Sequence, residues 1–210
     1  MKVAVIAANG RAGRLLVEEA LNKGWEVTAV ARGENRTRAA SFLNKDLFDL
    51  TREDLAGFDA VIDAFGAWTE ETVHLHETSL MHLCDVLSGT AVRLYVVGGA
   101  GSLYTDASHS RQVMQAPDFP AAFMPLASSQ GKALEALRLR NDVNWTFLSP
   151  ACDFQAEGPR TGHYLWGGEE LTLNRHGQSV ISYADYAIAM VELIAAGTHN
   201  RERLSVVGDY

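Results

Sequence analysis

The 210-residue sequence has only two cysteines, Cys84 and Cys152, 68 positions apart. Neither belongs to a C-x-x-C or His/Cys pattern, so a disulfide framework and a thiolate metal site are both excluded, and reduced thiols are expected. No window approaches 18 uninterrupted apolar residues, which removes a membrane-spanning helix. The first residues enter a strand at once, with no basic segment leading into a longer apolar stretch, so no secretory leader is expected. Basic charge is also scarce: 18 Lys and Arg against 26 Asp and Glu leave a net charge of -8. The basic residues are dispersed, and a nucleic-acid polyanion would be repelled more than attracted. His74, His76 and His82 invite a metal reading, but positions i and i+2 diverge on a helix and nothing nearby completes a ligand set. Internal repeats and low-complexity segments are absent. A cytoplasmic protein acting on a small molecule is expected, as monomer or homodimer, without nucleic-acid or membrane partners. The length suits one α/β domain over residues 1–210 with a small appended lobe.

What is present begins at residue 3. Val3, Ala4, Val5 and Ile6 read as a strand buried on both faces, and the run stops at Ala7-Ala8-Asn9-Gly10-Arg11-Ala12-Gly13. An amphipathic helix carrying Leu15, Leu16, Ala20 and Leu21 follows, Gly24 ends it, and a second strand runs to Arg32. The spacing is G-x-x-G-x-x-G with Ala7 in the first glycine position. Gly10 lets the backbone approach a pyrophosphate, Gly13 lets helix and strand pack closely, and the free N–H groups of the helix start face the anion. Ala7, Asn9, Gly10, Arg11, Ala12 and Gly13 are therefore candidate dinucleotide contacts.

Strand-like runs recur at 3–7, 26–31, 59–64, 92–98, 144–148 and 203–207, with a weaker strand or turn around 41–47. Helical intervals fall at 12–23, 51–56, 70–88, 120–141 and 183–196. This alternation predicts an α/β fold, a Rossmann-type doubly wound parallel sheet. From 152 to 178 five glycines break up a stretch holding Tyr164, Trp166 and the strand-like Leu171-Thr172-Leu173, which reads as a small C-terminal substrate-side lobe.

Arg32 ends the second strand, where an acidic side chain would bind the adenine-ribose 2′-hydroxyl. Its fork instead suits a 2′-phosphate, with Arg36 and Arg38 close by, so NADPH is expected over NADH; the alternative is a solvated Arg32 with Glu34 taking the hydroxyls. Strand order places Asp46 and Leu47 beside the adenine and Ala64, Phe65 and Gly66 along the ribose and pyrophosphate. Gly98 and Gly99, in Gly98-Gly99-Ala100-Gly101-Ser102 after the fifth strand, are expected to expose backbone to the flat nicotinamide ring. Met114, Phe119, Phe123 and Met124 read equally well as a lid or as core.

The segments VAVIAANGRAGRLLVEEA, KDLFDLT, VIDAFGAW, LYVVGGAGSL, WTFLSPACDF, GPRTGHY and ISYADYAIAMVELI span nearly the whole chain. In order and spacing the sequence resembles the atypical short-chain dehydrogenase/reductases with an NAD(P)H-binding domain, within them the group named NADH-flavin reductases. It is also similar to biliverdin-reductase-B-type flavin reductases and NmrA-like redox sensors. In short-chain dehydrogenases a Tyr-x-x-x-Lys pair occupies the helix before the sixth strand, the lysine binding nicotinamide ribose and lowering the tyrosine pKa. Here Lys132 stands in Ser128-Ser129-Gln130-Gly131-Lys132 and the tyrosine position is Ser128. The resemblance thus implies Lys132 as a ribose anchor or proton relay, with a surface lysine as the alternative, and an acceptor that needs no positioned acid. Hydride transfer to FMN, FAD or a quinone meets that condition. Gly99, Ser102, Pro150, Cys152, Phe154 and Tyr164 are the candidate ring-facing residues, with Ser102 and Lys132 as the catalytic candidates. The competing function is a non-catalytic NAD(P)-binding sensor.

Overall fold

Val3, Ala4, Val5 and Ile6 are at most 1% exposed, as a strand covered on both faces requires. They form β1 (Lys2–Ile6), an interior strand of an eight-stranded sheet. The computed structural model describes residues 1–210. On one side of β1 lie β2 (Glu26–Ala31) and β3 (Ser41–Asn44). On the other lie β4 (Ala60–Asp63), β5 (Arg93–Val97), β6 (Asn144–Ser149), β10 (Glu202–Gly208) and β8 (Tyr164–Gly167), in that order. Every pairing is parallel except the last, where β8 runs antiparallel to β10. A two-stranded parallel pair, β7 (Asp153–Gln155) with β9 (Val180–Ser182), stands apart from the large sheet. The chain reverses its direction of travel between β1 and β4, which opens a crevice at their carboxyl ends.

Alternate residues of β1 feed two cores. Val3 and Val5 meet Leu16, Val17 and Ala20 of α1 (Arg11–Asn22) and Tyr186, Ala187 and Met190 of α5 (Tyr183–Ala196). Ala4 and Ile6 meet Leu80 and Leu83 of α3 (Leu75–Leu87) and Leu134 and Leu137 of α4 (Met124–Arg138) on the opposite face. Between β3 and β4 sits the short α2 (Arg52–Leu55), opened by a Thr51–Asp54 capping box. The doubly wound fold expected from the alternation is the observed one.

β7 and β9 were not expected, and the helix predicted over 70–88 begins at Leu75; two further elements differ. Leu171–Leu173 forms no strand; Tyr164–Gly167 does, and joins the large sheet as its edge. The segment 152–178 is therefore partly woven into the sheet, and Asp185 ties it down further. That buried carboxylate, at the start of α5, accepts from Thr161 N and Gly162 N, both at 2.8 Å, and from Thr161 Oγ1 at 2.6 Å. Arg160 reaches Glu19 on α1 through two bonds of 2.9 and 3.0 Å. The second difference is the helix predicted over 120–141, which begins at Met124 with Pro125 in its first turn. No helix is long and apolar enough to cross a membrane.

Candidate functional site

The turn after β1 is built for close backbone approach. Ala7 adopts the left-handed region, φ 56°, where the motif ordinarily has its first glycine, and Gly10 N donates to Ala7 O at 3.0 Å to close the turn. Gly10 caps α1 with no side-chain bond, and the first turn carries no acidic residue. The N–H groups of Arg11, Ala12 and Gly13 precede the first helical bond, from Arg14 N to Gly10 O, so they are free for an anion. A Cβ at Gly13 would lie 2.6–2.9 Å from backbone atoms of Ala7 and Ala8. Close packing of helix on strand is thus what fixes that glycine.

Asn9 does not face the cradle. Its Nδ2 donates to the carbonyls of Glu34 (2.8 Å) and Arg32 (3.3 Å), and its Oδ1 accepts from Arg36 N at 2.9 Å. It latches the phosphate turn to the loop after β2, which gives it a positioning role. In that loop Arg32 is 82% exposed in its side chain and lies 3.4 Å from Asp46 Oδ2. Asp46 also accepts from Phe48 N at 2.9 Å. Arg38 is drawn off to Glu18 on α1, 3.3 Å away. Leu47, expected beside the adenine, is buried in the α3 and α4 core, because the turn capped by Asp46 rotates it inward.

At the end of β4, Asp63 is buried, and its Oδ1 accepts from Phe65 N at 3.0 Å. Nε2 of His76 sits 3.1–3.2 Å from the backbone O and N of Ala67, and burial lowers its pKa, favouring the neutral ring. Together they pin the loop carrying Ala64, Phe65 and Gly66. The space enclosed by Asp63, Phe65, His76, Gly98 and Gln130 measures about 10 Å³, room for a single water at most. Desolvation pushes the Asp63 carboxyl up to about 6, against the Phe65 hydrogen bond. A folded value above the unfolded one means that stability from this group is fullest below about pH 4 and is lost as pH rises through 6, about 3 kcal/mol in all. Asp63→Asn keeps an acceptor for Phe65 N–H. It is expected to stabilise the protein by about 1–3 kcal/mol at pH 8 and by little at pH 4; urea unfolding at both values checks this, and equal effects would sink it.

The glycine loop after β5 is tightly packed on its side-chain side. Gly98 and Gly99 are buried; a Cβ at Gly98 would strike the Phe147 ring at 2.1 Å, and one at Gly99 would strike Gln130 Oε1 at 2.0 Å. The side-chain positions of these glycines are thus taken up by β6 and α4.

Residues 7–196 match the NAD(P)H-binding family. The chain belongs to that family. It is 52% identical to a Streptococcus pneumoniae TIGR4 protein of solved structure that carries the provisional name NADH-flavin reductase, with a TM-score of 0.98 and 100% of both chains covered. It is 42% identical over 212 aligned residues to the uncharacterized protein YwnB of Bacillus subtilis strain 168, covering 100% of this chain and 99% of that one. A Bacteroides thetaiotaomicron protein provisionally named an epimerase is 32% identical, with a TM-score of 0.87 and coverage of 100% and 97%.

Against this NAD(P)H-binding frame the remaining candidates separate. Gln130 is the α4 residue that meets Gly99, and Lys132, two positions on, lies about 200° round the helix with its side chain exposed. The expected ribose anchor therefore points away from the sheet. Lys132→Met is expected to change the NADPH dissociation constant by less than about twofold; a tenfold loss in a titration would restore the anchor. Ser102 is buried beside Gly131, its carbonyl taken by Arg203 Nη2 at 3.3 Å, in the wall of a cavity flanking α4. Tyr164, expected to face substrate, gives its hydroxyl to Glu192 on α5 at 2.5 Å. Pro150 is buried, while Cys152 is exposed, its N–H donating to Ser179 Oγ at 3.0 Å. Phe154 packs on Tyr183, ring centres 4.0 Å apart. Burial raises the Tyr183 hydroxyl pKa, against the charge of Arg11. Tyr183, Asp63 and Gln130 were not among the sequence candidates, and His76 was weighed only as a metal ligand. His82, in the trio considered for metal, meets the Leu50 carbonyl at 3.0 Å.

Proposed function

We propose that this chain is an NADPH-preferring oxidoreductase that reduces a flavin (FMN or FAD) or another planar acceptor such as a quinone. When bound, NADPH supplies a hydride, and the acceptor takes it with one proton from solvent. The carrying observation is the uncapped start of α1 behind the Ala7–Gly10 turn, with Arg32 held at its flank by the Asn9 latch. The free N–H groups of Arg11, Ala12 and Gly13 receive the pyrophosphate, and Arg32 receives the 2′-phosphate. The pinned Ala64–Phe65–Gly66 loop lies along the ribose, and Cys152 and Phe154 border the acceptor side. The provisional name of the Streptococcus relative supports the flavin acceptor. Position 128 is serine, so the tyrosine acid used for carbonyl chemistry is missing; a ring that delocalises the incoming charge tolerates its absence. The same reading makes the protein a cytoplasmic monomer or homodimer.

Steady-state NADPH oxidation with FMN, FAD and a soluble quinone tests this. Acceptor-dependent turnover that saturates in NADPH is expected. Tight NADPH binding without turnover on any acceptor would overturn the enzyme in favour of a sensor.

A further inference from the structure

Trp68, Phe123 and Met124 are among the large apolar side chains that the fold leaves exposed, Trp68 at 69%. They come from the segments that follow β4 and β5, at the carboxyl ends of the parallel strands, where sheets of this kind receive their ligands. Trp68 is firmly mounted. Its neighbour Ala67 is buried and meets His76 Nε2 through both backbone N and O. Ala64, which starts the loop, donates its N–H to Ile6 O at 3.2 Å, one residue before the phosphate turn. The indole lies against Gly66, where a Cβ would be 3.4 Å from Nε1. Phe123 and Met124 open α4, and the next turns of that helix are held to the same wall: Ser129 Oγ donates to Val73 O at 2.5 Å, and Gln130 meets Gly99. An exposed indole on a fixed backbone at the mouth of a crevice is a surface for a flat ring, and a methionine adapts to its outline.

The charge around this rim is mostly of one sign. The loop 64–74 carries Glu70 and Glu71, both exposed, and no Lys or Arg; the loop 150–158 carries Asp153 and Glu157, also exposed, and again no Lys or Arg. Between β5 and α4 stand Asp106 and Asp118 with one arginine, Arg111, whose Nε and Nη2 donate to Gln115 O at 3.3 and 3.0 Å. Arg160 is taken by Glu19, and Lys132 is turned away from the sheet. Arg11 stands at the phosphate turn, where the cofactor's own pyrophosphate engages it. The start of α4 offers little to an anion, because Pro125 in its first turn has no N–H. A phosphate carried by the acceptor would therefore face carboxylates on all three loops. We propose that the acceptor is an uncharged planar ring, riboflavin or a quinone, seated against Trp68 with Phe123 and Met124 along its edge, and that this rim discriminates against FMN and FAD. The redox step rests on the reductase reading, the ring taking a hydride from NADPH and one proton from solvent; the binding of the ring does not.

Riboflavin and FMN share one isoalloxazine and differ by a phosphate. Their dissociation constants, read by quenching of flavin fluorescence on the NADP⁺-loaded protein, isolate the charge. Riboflavin is expected to bind at least about tenfold more tightly than FMN at low salt, the gap narrowing as salt rises, and kcat/KM with NADPH is expected to follow the same order. Trp68→Ala is expected to weaken riboflavin about fivefold, with the NADPH dissociation constant changed less than about twofold and the melting temperature unchanged; Trp68→Phe restores most of the loss. FMN bound as tightly as riboflavin at low salt, Trp68→Ala without effect on riboflavin, or no saturable binding of either riboflavin or a neutral naphthoquinone would overturn the assignment. Riboflavin bound in the expected pattern without turnover on any acceptor would overturn the reductase reading and leave the rim standing.

Discussion

Gly10→Val is expected to raise the NADPH dissociation constant at least about a hundredfold while the protein stays folded, and Gly13→Ala is expected to unfold it more readily. The two glycines sit three residues apart in one turn and do different work. Gly10 has φ -68° and ψ 167°, a conformation any residue adopts, and a Cβ there would meet only Ala7 O, at 3.2 Å. A valine side chain would project into the space before the first turn of α1, where the pyrophosphate must lie against the free N–H groups. At Gly13 the added atom would sit within 2.9 Å of three backbone atoms of Ala7 and Ala8, and backbone cannot swing aside as a side-chain tip can. Relief requires α1 to move off β1, an overpacking cost of about 3 kcal/mol or more. Circular dichroism melts and a fluorescence titration with NADPH separate the two effects. A folded Gly10→Val protein that keeps its affinity puts the phosphates somewhere else, and a Gly13→Ala protein as stable as wild type contradicts the packing argument.

These two glycines also mark what the sequence can carry. Gly13 was legible because helix-on-strand contact within one strand-turn-helix unit is local, and so was the order of β1 to β6, since buried parallel strands announce themselves as apolar runs. The packing reason for Gly98 and Gly99 was not legible, because lack of room for a side chain depends on Phe147 and Gln130, which come from elsewhere in the chain. The direction of Lys132 was not legible for a related reason. The predicted helix was right, but its rotation is set by which residues fit the sheet and α3, and Ser129 Oγ on Val73 O and Gln130 on Gly99 turn Lys132 outward. The edge strand β8, which holds Tyr164, was missed because it pairs with β10, about forty residues later in the chain, through contacts no local pattern encodes. Asn9 looked like a phosphate ligand by its place in the motif; its partners are contributed by the loop after β2, 23 to 27 positions on.

The latch matters most for cofactor choice. NADPH is expected to bind wild type about ten- to a hundredfold more tightly than NADH, and Arg32→Asp to erase or reverse that preference. Arg32 is mostly exposed and its only ion-pair partner, Asp46, is 3.4 Å away, a pair of a kind worth at most about 1 kcal/mol. A 2′-phosphate offers more charge and several acceptor oxygens to the same fork, so it can take the guanidinium from Asp46 at small cost. Asn9 holds the backbone of residues 32, 34 and 36, which keeps the fork beside the phosphate turn before the cofactor arrives and limits the ordering that binding must impose. Because the site is open to solvent, the NADPH preference is expected to shrink as salt rises from low to physiological strength, while NADH affinity changes little. Titrating both cofactors against wild type, Arg32→Asp and Glu34→Ala at two ionic strengths decides the matter. Equal affinities in wild type, with NADH binding lost in Glu34→Ala, would make Glu34 the ribose ligand and Arg32 a surface charge.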